Sequence, residues 1–356
     1  MRDLDLRDLL PPRTIGTSAR TLREFVEGRR VLVTGAGGSI GSELCRHLSR
    51  LGCATLAMFE RHENSLHEVL LTVDDSIAQP FLGDILDARR LDEAFATYRP
   101  EIVFHAAAHK HVPLIERHVS EAVKNNITGT RMVAAAAERH GAERFVLIST
   151  DKAVNPSSVM GATKRVAELL MRAAASSSRT EFVTVRFGNV IGSSGSVVPR
   201  FVEQLRAGGP LTVTHPDVRR FFILIPEAVQ LVIEAASLGR SGAMYVLDMG
   251  EPIRIVDLAR RVIELCGAPA STRIEFIGLR PGEKIDEDLV GANEHALQTE
   301  IPHIAEIRSI VPLRETFLAD VAVLEALAVN GRPEETIDQL RAIVPEFVPA
   351  AAAIPA

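Results

Sequence analysis

The chain has 356 residues, 40 of them basic and 46 acidic, for a formal net charge of −6. Aromatics are few: 14 Phe, 2 Tyr and no Trp. The acidic balance lacks the footprint of a nucleic-acid binder, and the scarcity of rings argues against base- or sugar-stacking platforms. At 46% apolar and 24% charged residues, the composition is that of a globular protein, not a disordered one. Cys45, Cys53 and Cys266 form no CxxC pair, so neither a disulfide framework nor a zinc site is expected. No stretch approaches the roughly 18 apolar residues of a membrane span. The N-terminus carries acids where a signal peptide has basic residues. A cytoplasmic protein with no membrane insertion and no bound metal is the expectation.

Residues 1–29 read as a polar extension. Within it Leu4, Leu6, Leu9 and Leu10 make a short apolar stripe ended by Pro11-Pro12, either a surface arm or a latch onto a neighbouring subunit. From Arg30 strands and helices alternate. RRVLVTG, ATLAMFE, SIAQPFLGD, EIVFHAAA, ERFVLIST and EFVTVRFGN read as six strands. The first helix, SIGSELCRHLSRLG, repeats Ile40, Leu44, Leu48 and Leu51 at helical spacing and stops at Gly52. Alternation of this kind implies an α/β fold, a Rossmann-type doubly wound parallel sheet. The expected dinucleotide-binding domain spans 30–188, with a return segment at about 226–250. Segments 189–225 and 251–345 are shorter and loop-rich, and read as a smaller α/β substrate lobe on the C-terminal side. The end, 346–356, reads as a flexible tail.

The first strand runs into Gly35-Ala-Gly37-Gly38-Ser39-Ile40-Gly41 and then a helix. Glycines at 35, 38 and 41 allow a tight turn, close approach of backbone to a pyrophosphate, and close helix packing. The helix N-terminus supplies N–H donors for phosphates. Glu60 ends the second strand nineteen residues later, where a carboxylate bonds ribose hydroxyls and repels a 2′-phosphate. That favours NAD over NADP, although Arg61 beside it leaves NADP open. Gly83-Asp84-Ile85 leaves the third strand where an adenine would lie.

These residues, with Thr34, His105-Ala106-Ala107-Ala108 and Asn126-Ile-Thr-Gly-Thr130, resemble the extended short-chain dehydrogenase/reductases. Four longer stretches are more specific: HAAAHKHVPLIE, STDKAVNPSSVMGATKR, RFGNVIGSSGSVVPRF and GLRPGEK. Together they resemble the CapD-like nucleotide-sugar 4,6-dehydratases of the polysaccharide-biosynthesis family, over roughly residues 29–345. Many such relatives carry a membrane-anchored N-terminal half, and this chain resembles the catalytic half. It departs from the pattern at His109, where relatives carry Tyr, along FFILIPEA, and at Asp286, where an aromatic is common.

Short-chain dehydrogenases place Tyr and Lys at i and i+4 on one helix face. Here those positions are Met160 and Lys164. Methionine transfers no proton, while Lys164 can still hold the nicotinamide ribose. Tyr98 and Tyr245 lie elsewhere in the chain, so neither replaces the missing phenol. Thr150-Asp151-Lys152 leaves the fifth strand, where ligands bind in such sheets. A 4,6-dehydratase passes hydride from C-4 to NAD, loses the C-5 proton and the C-6 hydroxyl, and returns the hydride to C-6. The resemblance implies Asp151 as the acid for C-6, Lys152 as the base at C-5 and Thr150, with a water, at the C-4 hydroxyl. Asp151 must then carry a proton and Lys152 must be neutral, states that burial favours.

The same carry-over implies Gly35 to Gly41, Glu60, Arg61, Asp84, Ile85, Ala106, Ala107, Asn126 and Lys164 as cofactor contacts. It implies Asn189, Val198, Arg220, Arg280 and Glu283 around a UDP-N-acetylglucosamine substrate, with the arginines on the diphosphate. Lys110 is either a hexose contact or a solvated loop lysine. His105, His109 and His111 lack a zinc-ligand pattern and read as core and loop residues. Helices RMVAAAAERHG and KRVAELLMRAAASS are rich in small residues and suit a homo-oligomer interface, or their own sheet. Two alternatives stand beside the dehydratase: a UDP-sugar 4-epimerase, and a non-catalytic NAD-binding sensor or scaffold.

Overall fold

The computed structural model describes residues 4–11 and 19–349. One sheet of nine strands forms the centre. They are β1 (Arg30–Thr34), β2 (Thr55–Glu60), β3 (Ala78–Leu82), β4 (Ile102–His105), β5 (Arg144–Ile148), β6 (Glu181–Arg186), β7 (Met244–Leu247), β8 (Glu294–Gln298) and β9 (Ile304–Ser309). Their order is β8-β9-β7-β6-β5-β4-β1-β2-β3. Strands β1 to β7 pair in parallel. Strands β9 and β8 close one edge antiparallel. The short apolar runs seen in the sequence are these central strands, buried on both faces as parallel strands are.

Alternate residues feed two cores, one on each face of the sheet. Leu32 of β1 packs with Phe95, Val133, Met160 and Val166. Val31 and Val33 pack on the other side with Leu44, Leu48, Val229 and Val232. The helices that cover the sheet include α1 (Ala19–Val26), α2 (Ser39–Arg50), α3 (Thr130–Arg139), α4 (Val159–Ala174) and α5 (Ile225–Ser237). Strand order reverses between β1 and β4, and a cleft opens at the C-terminal ends of the strands there, as it does in doubly wound sheets.

Three boundary expectations change. The extension is not merely polar: α1 buries Leu22 and Val26 against the sheet-side core. Residues 4–11 lie on the chain's own smaller lobe, where Leu9 is buried beside Ile191, Val198 and Phe201. Pro12 of the Pro-Pro pair lies outside the described residues. Second, the span 251–345 divides. Its first part joins the lobe, whose strands Leu211–Val213 and Ile274–Phe276 pair in parallel. Residues 294–309 instead enter the main sheet as β8 and β9. Helices α6 (Phe317–Val329) and α7 (Pro333–Ile343) then pack over segment 119–129 and α4. Third, the expected tail begins ordered. Phe347 is buried and the Val348 N–H donates to the Pro156 carbonyl at 3.1 Å. Residues 350–356 lie outside the described part.

Helices α3 and α4 spend much of their small-residue surface inside the chain. Ala134, Ala136, Ala137, Ala162 and Ala167 are buried in the core beneath the sheet. Arg131 of α3 also makes a two-pronged ion pair with Glu325 of α6, at 2.8 Å for each bond.

Candidate active site

The glycine-rich turn after β1 fits a dinucleotide for steric reasons. Gly35 sits at φ 67°, and a Cβ there would stand 2.7 Å from the Ala107 backbone. A Cβ on Gly41 would stand 2.0 Å from the Gly35 carbonyl oxygen. The turn is therefore pressed against residues 106–107, and the first residues of α2 line the cleft with backbone N–H groups that no helix carbonyl can satisfy. Glu60 orders the neighbouring rim: it accepts from the N–H of Gly37 at 3.0 Å, Arg61 at 2.9 Å and His62 at 3.0 Å. The Arg61 guanidinium lies 3.7 Å from Asp84.

The cleft has a volume of about 990 Å³ and runs from this turn to the lobe. At its centre are residues from the ends of β5 and β6. The Lys152 amine donates to Asp151 Oδ1 at 3.0 Å and to Asn189 Oδ1 at 2.7 Å. The Thr150 hydroxyl donates to the same Asp151 oxygen at 2.9 Å. Asp151 is fully buried, and its Oδ2 has no hydrogen-bond partner among the described residues. Thr150, Lys152 and Asn189 face the cleft.

One turn of α4 places Met160 and Lys164 in the lining of the same cleft. The Lys164 amine donates to the Ile148 carbonyl at 2.7 Å. Burial pushes its pKa down to about 8, against the pull of Glu168. Neither tyrosine lines this cleft: Tyr245 is buried in the core of the sheet, and Tyr98 packs edge-on against Phe81.

With this geometry in view, comparison with known proteins is decisive for the family. A family model described as polysaccharide biosynthesis protein matches residues 31–309. The chain belongs to this family. It is 49% identical over 305 residues to the probable polysaccharide biosynthesis protein EpsC of Bacillus subtilis, covering 84% of this chain and 51% of that one. It is 44% identical over 301 residues to the capsular polysaccharide biosynthesis protein CapD of Staphylococcus aureus, covering 83% and 50%. The chain thus spans about half the length of these two relatives. A UDP-glucose 4-epimerase of Rickettsia canadensis is 34% identical over 282 residues, 76% of this chain and 80% of that one. Among solved structures, Pen from Bacillus thuringiensis superimposes with a TM-score of 0.75 at 33% identity, covering 80% of this chain and 91% of that one.

Most residues expected at the site line the cleft, but four do not. Asp84 turns away to cap its own loop, accepting from the Leu86 N–H at 2.9 Å. Asn126 is buried behind the wall and holds the His109 backbone at both its N–H and its carbonyl, at 2.8 and 3.0 Å. Its neighbour Asn125 faces the cleft instead, because segment 124–129 is a π-helical turn that shifts the register of the side chains. Asp151 meets the cleft only through Thr150 and Lys152. Val198 belongs to the lobe core, and Val197 takes the lining position.

Other residues enter the site without having stood out in the sequence. Arg200, one turn into the Val197–Arg206 helix, lines the cleft with no side-chain partner among the described residues. Arg280 is likewise free, whereas Arg220 is held by the carbonyls of Arg219, Lys284 and Ile285. Glu283 accepts from the Thr214 hydroxyl at 2.8 Å and the Arg280 N–H at 3.1 Å. The Ser194 N–H donates to Ser39 Oγ at 3.1 Å, so a loop of the lobe crosses to the glycine-rich turn.

Behind the site, Ser149 donates to Glu168 of α4 at 2.7 Å. Arg186 at the end of β6 bonds Glu168 and Glu294, each at 2.7 Å. This buried network ties together the three elements that carry Thr150, Lys164 and Asn189. Among the described residues, no helix is long and apolar enough to cross a membrane.

Proposed function

We propose that this protein is an NAD-dependent nucleotide-sugar 4,6-dehydratase that converts UDP-N-acetylglucosamine to a UDP-4-keto-6-deoxy-N-acetylhexosamine. The observation that carries the reading is the Lys152 amine. It stands in the cleft on Asp151 and Asn189, in the same cleft as a Met160–Lys164 pair that lacks a phenol. An amine paired with a buried carboxylate suits proton removal at C-5 and expulsion of the C-6 hydroxyl, and a 4-epimerase has no use for it.

The glycine turn, the α2 N-terminus and Glu60 would hold the dinucleotide, and Lys164 would hold its nicotinamide ribose. The Glu60 carboxylate at the ribose position, with Arg61 turned towards Asp84, supports NAD over NADP. When bound, NAD supplies the hydride acceptor for C-4 and the donor for C-6. Arg280 and Arg200 line the cleft and would serve as cations for the diphosphate, and Glu283, also in the lining, would accept from the uridine ribose.

The chain's own residues manage the protons. Passing the proton of Lys152 along its 3.0 Å bond to Asp151 yields a neutral amine and a carboxylic acid, with no change in net charge. That is the state the elimination needs: Lys152 takes the C-5 proton while Asp151 supplies the proton that leaves with the C-6 hydroxyl as water. The ion pair is then restored; Lys152 later returns its proton to C-5 and regains one from solvent, which matches the proton that the C-4 hydroxyl releases to solvent by way of Thr150 and a water when its hydride leaves. Asp151 is buried, so its proton would reach the C-6 hydroxyl through Thr150, which bonds it and lines the cleft.

The test is incubation with UDP-N-acetylglucosamine in deuterated water, followed by mass spectrometry and proton NMR. Loss of one water with deuterium at C-5 is expected, and Lys152→Ala should abolish it while NAD stays bound. An isomer of unchanged mass would establish the epimerase reading, which the Rickettsia relative's name favours. No turnover of any UDP-sugar would leave a non-catalytic sensor.

A further inference from the structure

The apolar stretch that precedes α1 has no part in the steps above. Asp5 accepts from the Arg7 N–H at 3.0 Å and starts a single helical turn over Leu6–Leu9. That turn gathers Leu4, Leu6, Leu9 and Leu10 onto the core of the smaller lobe. Leu9 is buried and shares that core with Ile191 and Val198, which stand at the two ends of loop 192–196. Leu6 reaches the loop itself: a Cβ on Gly192 would stand 2.3 Å from Leu6 Cδ1.

The loop crosses from the lobe to the dinucleotide domain. Ser193, Ser194, Gly195 and Ser196 line the cleft together with the glycine-rich turn. The Ser194 N–H donates to Ser39 Oγ at 3.1 Å. Among the described residues this is the one hydrogen bond from the loop to that domain. Gly195 is pressed on the His111 ring, whose Cε1 would stand 2.6 Å from a Cβ there. Gly192 and Gly195 have φ of 76° and 69°, backbone that glycine adopts without strain and that lets a loop swing. One end of the loop is thus held by leucines, and the other by a single polar bond beside the expected pyrophosphate site.

We propose that residues 4–10 are a clasp for loop 192–196, and that loop and clasp together gate exchange of the dinucleotide. To open, the loop must turn about Gly192, which Leu6 covers, and must disturb the packing of Leu9 between its two ends. Leu6 and Leu9 are therefore positioning residues: no residue of 4–11 lines the cleft, so they act only through the loop. A gate of this kind slows entry and exit alike. A reaction that returns its hydride to the same sugar has no need of cofactor exchange between turnovers, so a slow gate costs it nothing.

The role rests on the dinucleotide reading of the glycine-rich turn and is independent of the chemistry at C-5. The test follows NADH fluorescence, on mixing with the full chain for association and on a chase with excess NAD for dissociation. Leu6→Ser with Leu9→Ser should raise both rates, dissociation by about 10-fold, because removing a buried leucine shifts a docking equilibrium by at least about that factor. Removal of residues 1–11 should do the same without placing a polar group in the lobe core. Amide hydrogen exchange over 193–196 should speed up in both variants with no ligand present. Unchanged rates or unchanged exchange would overturn the proposal. So would faster dissociation with slower association, which would mean that the leucines support the fold of the site and gate nothing. Failure of the wild type to bind NADH would overturn the gate and the dinucleotide reading together. Gated NADH binding with no deuterium at C-5 would sink the dehydratase reading and leave the gate standing.

Discussion

The Lys152 amine and the Asn189 side-chain oxygen meet at 2.7 Å, a bond that joins the loops leaving β5 and β6. A flexible four-carbon side chain gains direction from it, since the amine is held between Asn189 and Asp151. Asn189→Ala removes the cleft-side anchor and leaves the dinucleotide turn untouched. We expect C-5 deuterium exchange to fall by about 10- to 100-fold, the usual cost of losing a residue that orients a reacting group. NAD binding should persist. A change confined to KM would show that Asn189 serves substrate binding and does not direct the amine.

Met160 occupies the position at which a dehydrogenase tyrosine would work, and it does so as a buried apolar side chain. If it fills space and moves no proton, Met160→Leu should keep turnover within about threefold, as volume-conserving exchanges do. Steady-state rates for the two proteins settle the matter. A large loss with the fold intact would give the thioether a role in the reaction.

Lys164 makes an opposite pair of effects. Its pKa falls to about 8 in the fold because burial disfavours the ammonium. The sign follows from linkage: below about 8 the folded state carries a buried charge that the unfolded state leaves in water, a cost on the order of 3 kcal/mol. The cost shrinks as pH rises from about 8 towards the ordinary lysine value of 10.5. Lys164→Met should therefore lose NAD affinity yet unfold at higher urea than the apo wild type near neutrality. The gap, less the lost bond to the Ile148 carbonyl, should close at alkaline pH. Urea midpoints across that range measure it. A variant less stable at every pH would mean that the carbonyl bond outweighs the buried charge.

The parallel core was legible because each central strand is a short apolar run with a glycine or polar exit, and such runs admit few other structures. The cofactor turn was legible for the same reason, since Gly35 and Gly41 sit where a Cβ has no room. The antiparallel edge was not. Strand β8 is EHALQ, with four of five residues exposed, and no periodicity separates it from a loop. Asn126, carried over from the resemblance, does not line the cleft: segment 124–129 is a π turn, and Asn125 takes the lining position. Arg200 lies within the stretch RFGNVIGSSGSVVPRF, but nothing in the sequence singles it out from its neighbours. That it lines the cleft depends on how the lobe folds back on the end of β5, which is a tertiary fact.

His105 gives the last prediction. Its ring lies fully buried between the hydroxyls of Thr34 and Thr130, at 2.7 and 2.9 Å. Burial, aided by the charge of Lys164, drives its pKa down to about 3. The folded protein therefore holds it neutral, while the unfolded chain takes up a proton below the ordinary value of 6.5. More protons bind the unfolded state in that window, so the contribution of His105 is fully present above about 6.5 and is lost as pH falls towards about 3. His105→Gln should be less stable than the wild type at neutral pH, having lost a well-fitted bridge between β1, β4 and α3. Its stability should also decline less steeply over that acid window. Urea midpoints from about pH 7 to about pH 4 for both proteins give the comparison. Parallel slopes would mean that the imidazole already carries its proton in the fold.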